Sequence, residues 1–273
     1  MEVMAAERAP VVVALMGASN LSWALPAAVR GIVARLPGRE LDILVAHGPG
    51  RSYGIEAGVL GVRFTGIATS GIVDAVRRAR EARGDVPVRC LLTDLGNDIL
   101  YRNGAERLLG WVKGIVSALL ELGATVAITS LPVASIERIP PWKFRFLRPL
   151  FYPFRPMPQE EVVRQAREIQ QGIEALSRES GVAVLEAREE WYGFDHFHLR
   201  RRARAEAMAS WLDRVIDPRD SPSPRPAAAG RDVRVSALAL RLHMPLEYTY
   251  LGVRRTGAVE PVEVAPGAWV SFY

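Results

Sequence analysis

Cysteine is almost absent from this sequence, and long apolar runs are lacking altogether. Cys90 is the single cysteine among 273 residues, so the chain can form neither an internal disulfide nor a cysteine-based metal cluster. Its apolar neighbours predict a buried thiol that packs as a small hydrophobic side chain. No segment is long enough to span a bilayer, and the apolar run at Val11–Met16 is too short for a signal peptide. We therefore expect a cytoplasmic protein.

A nucleic-acid-binding motif is also lacking. The formal net charge is +5 and comes largely from arginine, which favours anionic surfaces or substrates in general without identifying one. Hydrophobic residues make up 49% of the chain and charged residues 24%, which is typical of a globular protein with a full core. The composition thus predicts a globular protein with no nucleic-acid partner.

Apolar runs of strand length alternate with amphipathic stretches of helical length. The predicted buried strands are residues 11–16, 41–46, 86–93, 125–131 and 182–185, and the predicted helices are residues 23–36, 72–83, 105–122, 159–180 and 199–215. This alternation produces parallel βαβ units, and it predicts a three-layer α/β/α doubly wound parallel sheet of flavodoxin-like type. Ligands in such folds bind outside the carboxyl ends of the strands.

The composition changes after the last predicted helix. Residues 1–217 form one predicted main domain, and residues 218–230, rich in Pro, Ser, Arg and Ala, are a predicted linker. Residues 231–273 form a β-rich tail with predicted strands at 233–242, 247–253 and 262–272. The tail is either an appendage against the core or an oligomer contact, and the oligomeric state stays open.

Polar side chains follow several of the predicted strands at the edge where ligands bind. Ser19 follows the first strand through Gly17 and Ala18, Asn97 lies in a Gly-Asn-Asp turn, and Asp195 and His198 follow the last strand. Acyl transfer needs a hydroxyl nucleophile, a base, a carboxylate that fixes the tautomer of the base, and donors for the oxyanion. These residues provide a complete set.

In order and context, these residues resemble the SGNH hydrolases, also called GDSL-type esterases and lipases. The resemblance covers about residues 11–212. It implies that Ser19 is the nucleophile, that His198 is the general base, and that Asp195 orients the imidazole. The implied reaction is cleavage of carboxylic esters through an acyl-enzyme.

The resemblance also implies an oxyanion hole. Its donors would be the main-chain N–H groups of Ser19 and Gly71 and the side-chain amide of Asn97, with Gly66 as the alternative to Gly71. The sequence departs from the family at Ala18, where the family usually has an aspartate beside the nucleophile. The function of that carboxylate must then be supplied differently or not at all.

Two other histidines, His196 and His243, are weaker candidates for the base. His196 is next to Asp195, but adjacent residues do not easily share a hydrogen bond of suitable geometry, and the family pattern selects His198. His243 lies in the tail, and we expect it to be structural.

A glycine-rich loop at residues 47–54 follows the second strand and contains Arg51 and Tyr53. Such a loop can cradle phosphate, and it resembles a stretch of the FAD-binding domain of some flavin oxidases, although that domain needs a much longer chain of a different pattern. We expect the loop to border the ester site, with Arg51 or Tyr53 touching the substrate. The alternative is a surface turn.

Residues 139–158 interleave aromatic and cationic residues, including Trp142, which is a further candidate for substrate contact. Three interpretations are open: a lid over an apolar acyl pocket, a patch that rests on a lipid surface, or a packed connection. The prolines of this stretch argue against a regular amphipathic helix.

The predicted function is therefore a serine esterase or lipase that needs no cofactor and no metal. Its partner would be a small-molecule ester, with an acyl or lipid-like substrate favoured if residues 139–158 form a lid. The alternatives are an acyltransferase that uses the same triad and a non-catalytic binding protein on the same fold. Peripheral contact with a membrane stays open.

Overall fold

The computed structural model describes residues 10–151, 157–217, 220, 239–240, 243–257 and 260–273. In chain order its strands are β1 (Val11–Met16), β2 (Leu41–Ala46), β3 (Val62–Phe64), β4 (Val88–Leu92), β5 (Thr125–Thr129), β6 (Ala183–Leu185), β7 (Glu247–Tyr250), β8 (Val253–Thr256), β9 (Val262–Ala265) and β10 (Ala268–Phe272). Seven of them form a central sheet in the order β6-β5-β4-β1-β2-β10-β9. All neighbours in this sheet are parallel except β10 and β9.

Helices cover both faces of the sheet. They are α1 (Ser19–Arg35), α2 (Ile72–Arg83), α3 (Ala105–Glu121), α4 (Val133–Glu137), α5 (Pro141–Phe151), α6 (Gln159–Ser180) and α7 (Arg204–Val215). The apolar sides of α1 and α7 pack on one face, and those of α2, α3 and α6 pack on the other. The predicted three-layer α/β/α fold is confirmed.

Strand β1 is continuously apolar because both faces of the sheet are buried around it. In β1, Val12, Ala14 and Met16 belong to the core under α2, α3 and α6. Val11 and the other alternate residues of β1 belong to the core under α1 and α7. A strand covered on both sides has no polar face, which explains why β1 appears in the sequence as an uninterrupted apolar run, and why β2 and β4 are apolar except for Asp42 and Arg89. Cys90 is fully buried in β4, as expected, and burial raises the pKa of its thiol to about 12.

The end of the chain joins the central sheet. Strand β10 lies parallel to β2, with Ala268 opposite Leu41 and Phe272 opposite Val45, and β9 pairs antiparallel with β10. The predicted strand 262–272 is therefore two strands with a turn between them. Strands β7 and β8 form a separate antiparallel sheet with β3. The last strands are thus part of the main core.

Two predicted segments of the tail fall largely outside the described residues. Of the predicted linker 218–230 only Asp220 is described, and its carboxylate lies 2.6 Å from Nε of Arg89. Of the predicted strand 233–242 only residues 239–240 are described, and they are helical.

The stretch at 139–158 contains a helix, contrary to the expectation from its prolines. Helix α5 begins at Pro141, a position where proline is well tolerated because the first N–H groups of a helix have no partner within it. Residues 152–156 lie outside the described part of the chain. Among the described residues, no helix is long and apolar enough to cross a membrane.

Candidate active site

A cavity of about 70 Å³ lies at the carboxyl edge of the central sheet. It is lined by residues that follow β1, β4 and β5 and by the loop before α7. The polar lining residues include Ser19, Asn20, Asp94, Asn97, Ser130 and His198, and the apolar ones include Leu95, Ile99, Leu100, Leu131, Pro132, Ile136 and Phe197. Three of the predicted site residues therefore line one cavity, namely Ser19, Asn97 and His198. Ser19 and His198 are 179 positions apart in the sequence.

Ser19 is the first residue of α1, and a carboxylate from another strand end caps this helix. Asp94 follows β4, and its Oδ2 accepts hydrogen bonds from the main-chain N–H groups of Ala18 at 2.8 Å and Leu21 at 3.0 Å. The first N–H groups of a helix have no intrahelical partner, and negative charge is favoured there. Asp94 thus places a carboxylate beside Ser19, although residue 18 is an alanine.

The close approach of the chain after β1 to the chain after β4 leaves no room for a side chain at Gly17, two residues before Ser19. A Cβ atom on Gly17 would lie 2.6 Å from Cγ2 of Thr93 and 3.2 Å from Oδ2 of Asp94. The remote cap also explains why α1 begins at Ser19, whereas the sequence pattern predicts a start at residue 23.

The glycine whose main chain lies at Ser19 is Gly50, in the loop after β2. Its N–H donates a hydrogen bond to Oγ of Ser19 at 3.2 Å. Its φ of +71° suits glycine, and an added Cβ would lie 2.7 Å from Cγ1 of Val59. Its carbonyl oxygen accepts a hydrogen bond from the hydroxyl of Tyr101. The loop is therefore held with one N–H directed at the serine oxygen.

The two glycines selected from the sequence are not among the residues that line the cavity. Gly71 precedes α2 with a φ of +81°, and it does not line the cavity. Gly66 precedes the short 3₁₀ helix Ile67–Thr69 and packs against the main chain of Gly54. The structure brings neither of them to Ser19.

Asn97 lies in the 3₁₀ helix Leu95–Tyr101 and lines the cavity. Its side-chain amide donates a hydrogen bond to the carbonyl oxygen of Arg51 at 2.8 Å. The same amide nitrogen carries a second hydrogen, because a carboxamide has two donors. This bond fixes the side chain of Asn97 relative to the loop that contains Gly50.

Asp195 and His198 are hydrogen-bonded to each other. Nδ1 of His198 lies 2.6 Å from Oδ2 of Asp195, and Oδ1 of Asp195 accepts the main-chain N–H groups of Phe197 at 3.1 Å and His198 at 2.9 Å. Burial alone would raise the pKa of Asp195, but the hydrogen bonds and charge of His198 hold that pKa below its ordinary value. Asp195 is therefore a carboxylate that fixes the ring of His198 from one side.

His196 has different partners. Its Nε2 lies 3.0 Å from Nζ of Lys143, and its Nδ1 lies 3.0 Å from Oγ of Ser135. Because an ammonium group can only donate, Nε2 of His196 is the acceptor and Nδ1 carries the proton. Burial, reinforced by the charge of Lys143, lowers the pKa of His196. The imidazole that bonds to Asp195 is that of His198.

The sequence analysis missed Asn20, which joins the serine to the histidine loop. Its Oδ1 accepts the N–H of Leu199 at 2.8 Å, and its Nδ2 donates to the carbonyl oxygen of Phe197 at 3.1 Å. These two main-chain groups belong to the residues on either side of His198. In the sequence, Asn20 is marked only by its place shortly after the end of a predicted buried strand, and this place by itself predicts no contact with the main chain around His198.

Asn20→Ala should lower kcat for a simple ester about 100-fold and leave KM nearly unchanged, because a displacement of about 1 Å at a reacting group costs about that much. The substitution removes both bonds that hold the main chain around His198. The matched control is Asn103→Ala, since the Asn103 amide also donates a hydrogen bond, in its case to the buried carboxylate of Asp98 at 3.1 Å, but Asn103 does not line the cavity. Equal losses of kcat and thermal stability in the two variants would contradict a positioning function of Asn20.

The structure also corrects the expected substrate contacts of Arg51 and Tyr53, because both side chains are fully buried. Arg51 donates to the main-chain oxygens of His47 and Thr65, each at 3.0 Å, and to that of Tyr273. Burial lowers the pKa of Arg51 to about 9. The hydroxyl of Tyr53 donates to the carbonyl oxygen of Thr93 at 2.8 Å. Both residues therefore hold the loop in place from within the core.

The two remaining predicted residues lie outside the cavity. Trp142 is 68% exposed on α5 and does not line the cavity. The ring of His243 stacks on that of Phe272 with centroids 4.4 Å apart, in keeping with the structural function expected for it.

Comparison with known proteins gives similarity to solved structures only. No family model matches the chain, and no curated protein matches its sequence. The chain is similar to a psychrotrophic esterase, EstA, from Pseudoalteromonas sp., with 12% identity and a TM-score of 0.43 over 74% of this chain and 94% of that one. It is also similar to a carbohydrate acetylesterase family member from Sinorhizobium meliloti, with 13% identity and a TM-score of 0.49 over 74% and 96%. Both TM-scores are below 0.5, so a functional assignment must rest on the geometry of the site.

Proposed function

We propose that this protein is a serine hydrolase that cleaves carboxylic esters, as the resemblance to SGNH hydrolases implies. The observation that supports the proposal most strongly is that Ser19, Asn97 and His198 line the same cavity while Asp195 is bonded to His198 at 2.6 Å. A hydroxyl, an imidazole, a carboxylate and an amide donor in one place are the groups that acyl transfer requires.

In the proposed mechanism Oγ of Ser19 attacks the ester carbonyl while His198 takes its proton. The carbon–oxygen bond to the leaving alcohol then breaks, and His198 returns the proton to that alcohol. In the second half of the reaction, water attacks the acyl carbon while His198 takes a proton from the water. The bond between the acyl carbon and Oγ of Ser19 then breaks, and His198 returns the proton to Oγ, which releases the acid and restores Ser19. Asp195 keeps the His198 ring in the required tautomer and stabilises the imidazolium.

We assign three donors to the negative oxygen of the tetrahedral intermediate. They are the N–H of Ser19, the N–H of Gly50 and the side-chain amide of Asn97. Gly50 takes the place that the sequence analysis assigned to Gly71, because its N–H already lies 3.2 Å from Oγ of Ser19. The oxyanion forms two bonds away from that atom, so the same N–H needs little movement to reach it. One such donor contributes about a hundredfold to a thousandfold in rate.

The lining of the cavity favours a short acyl group. Leu131, Ile136, Leu100 and their apolar neighbours form most of its wall. About 70 Å³ holds about five water-sized groups, since one water needs on the order of 10–15 Å³ on this measure. We therefore propose esters of short acyl chains as the preferred substrates, with the alcohol part outside the cavity.

Labelling with a fluorophosphonate tests this function directly. The reagent should modify Ser19 in the wild-type protein, and peptide mapping by mass spectrometry should locate it there, because only a serine activated by a base reacts. The control is Ser135→Ala, which removes the other serine that bonds to a histidine, at 3.0 Å from His196. We expect this variant to be labelled as fast as the wild type. An unlabelled wild-type protein would overturn the proposal and favour a binding protein on this fold.

A further inference from the structure

The stretch 139–158 has an unusual composition that the proposed reaction does not use. It contains six aromatic residues, four cationic residues and no acidic residue. Aromatic side chains interleaved with cations are typical of surfaces that meet the boundary between water and lipid, because the rings enter the headgroup region and the cations pair with its phosphates. The composition alone is also compatible with packing in a core. The positions of these side chains in the structure distinguish a lipid-facing surface from a packed core.

The described part of this stretch has a buried side and an exposed side. On α5, Phe144 and Leu147 are buried, whereas Trp142 is 68% exposed and Phe146 is 74% exposed. Phe194, in the loop before Asp195, is 63% exposed. Burying one such ring is worth more than 1 kcal/mol elsewhere in a protein, so three exposed rings on α5 and the loop that contacts it are unusual on a surface that meets only water.

Two cations accompany the exposed rings. Nζ of Lys143 lies 3.9 Å from the centroid of the Phe194 ring, and Arg145 is exposed between Trp142 and Phe146 on α5. Within the described residues, neither cation forms an ion pair with a carboxylate. We name Trp142, Lys143, Arg145, Phe146 and Phe194 the α5 surface. Its uncompensated charge is complementary to an anionic layer.

The α5 surface adjoins the candidate active site. Lys143 contacts His196 at 3.0 Å, and His196 lies in the loop between Asp195 and His198. On the other side, the short helix α4 precedes α5, and its residue Ile136 lines the cavity. A layer that rests on the α5 surface would therefore lie next to the residues that surround Ser19.

We propose that the α5 surface binds the surface of an anionic lipid bilayer and thereby presents the cavity to esters that partition into that layer. A protein partner would also cover apolar surface, but a layer of phosphate groups explains more directly why two cations without a carboxylate partner among the described residues lie with three exposed rings. Binding to lipid requires no reaction at Ser19 and goes beyond the proposed function, whereas the presentation of esters to the cavity rests on that function.

Co-sedimentation with vesicles tests this inference. The full chain should bind vesicles of equal parts phosphatidylglycerol and phosphatidylcholine and bind pure phosphatidylcholine at least tenfold more weakly. Raising the salt concentration should weaken the binding, because salt screens exposed charges. Trp142→Ala with Phe146→Ala should lower the affinity at least tenfold, and Arg145→Glu should lower it by about fivefold or more. Ser19→Ala should bind as the wild type does.

Matched controls come from other parts of the chain. Trp269→Ala removes a tryptophan that is 38% exposed near the amino end of β10, away from the cavity. Arg30→Glu reverses an exposed charge on α1, which covers the opposite face of the sheet from Phe144 of α5. Both should bind as the wild type does, with circular dichroism showing that all variants fold.

Three outcomes would overturn the inference. They are absence of wild-type binding to the anionic vesicles, equal losses in the control variants, and self-association of the chain that the Trp142 and Phe146 changes abolish. A protein that binds vesicles but resists the fluorophosphonate would contradict the proposed function and leave this inference standing.

Discussion

Ser19→Ala is expected to lower kcat/KM for p-nitrophenyl acetate by about 10⁶-fold, to the level of residual binding and oxyanion stabilisation. Ser19 is the first residue of α1, and its Oγ accepts a hydrogen bond from the N–H of Gly50 at 3.2 Å. Its removal deletes the attacking atom without touching Asp195 or His198. The measurement is the initial rate of p-nitrophenol release by the purified variant.

The fold should survive this change, because the cap of α1 comes from Asp94 and not from the serine. Thermal unfolding of Ser19→Ala should therefore match that of the wild type within a few degrees. Ser135→Ala is again the control, and it should retain its turnover. If Ser135→Ala loses the activity while Ser19→Ala retains it, Ser19 is not the nucleophile.

Asp195→Asn should lower kcat by about 10⁴-fold, because an amide at this position stabilises the wrong tautomer of His198 and cannot stabilise the imidazolium. The change is nearly isosteric. The side-chain oxygen can still accept the N–H groups of Phe197 and His198, which lie 3.1 and 2.9 Å from Oδ1 in the wild type. The loop should therefore keep its conformation, and thermal unfolding should change little.

A comparison with Asp195→Ala separates the electrostatic effect from the structural one. The alanine variant also loses the two bonds to the main chain, so it should be less stable than the asparagine variant. A second comparison uses the histidines: His198→Gln should lose activity to a similar extent as Ser19→Ala, whereas His196→Gln should keep most of it. Activity of Asp195→Asn close to that of the wild type would contradict the assignment of Asp195 as the residue that orients His198.

The sequence predicted the fold well because the central strands are buried on both faces. The bounds of β1, β2, α2 and α6 agree with the prediction, since each is a predominantly apolar run or an amphipathic stretch. The candidate residues each follow a predicted strand, and this placement predicted a shared cavity because parallel strands end at the same edge of the sheet.

The glycine beside Ser19 could not be found in this way. A main-chain N–H has no sequence signal of its own, and several glycines follow predicted strands. Gly50 lies within the loop at 47–54, which appeared to be a candidate for substrate contact through Arg51 and Tyr53. Those two side chains are instead buried, and they hold the loop so that the N–H of Gly50 faces the serine.

Sequence by itself determined the layers of the fold and the set of reactive groups, because hydrophobic periodicity and residue type are local properties. Only the tertiary structure decided how the site is held together. Asp94 caps the helix of a serine 75 positions before it, and Asn20 bonds to the main chain on both sides of a histidine 178 positions after it. Strand β10 reaches the central sheet from the far end of the chain. Such contacts depend on how distant segments pack, and no pattern within a single segment contains that information.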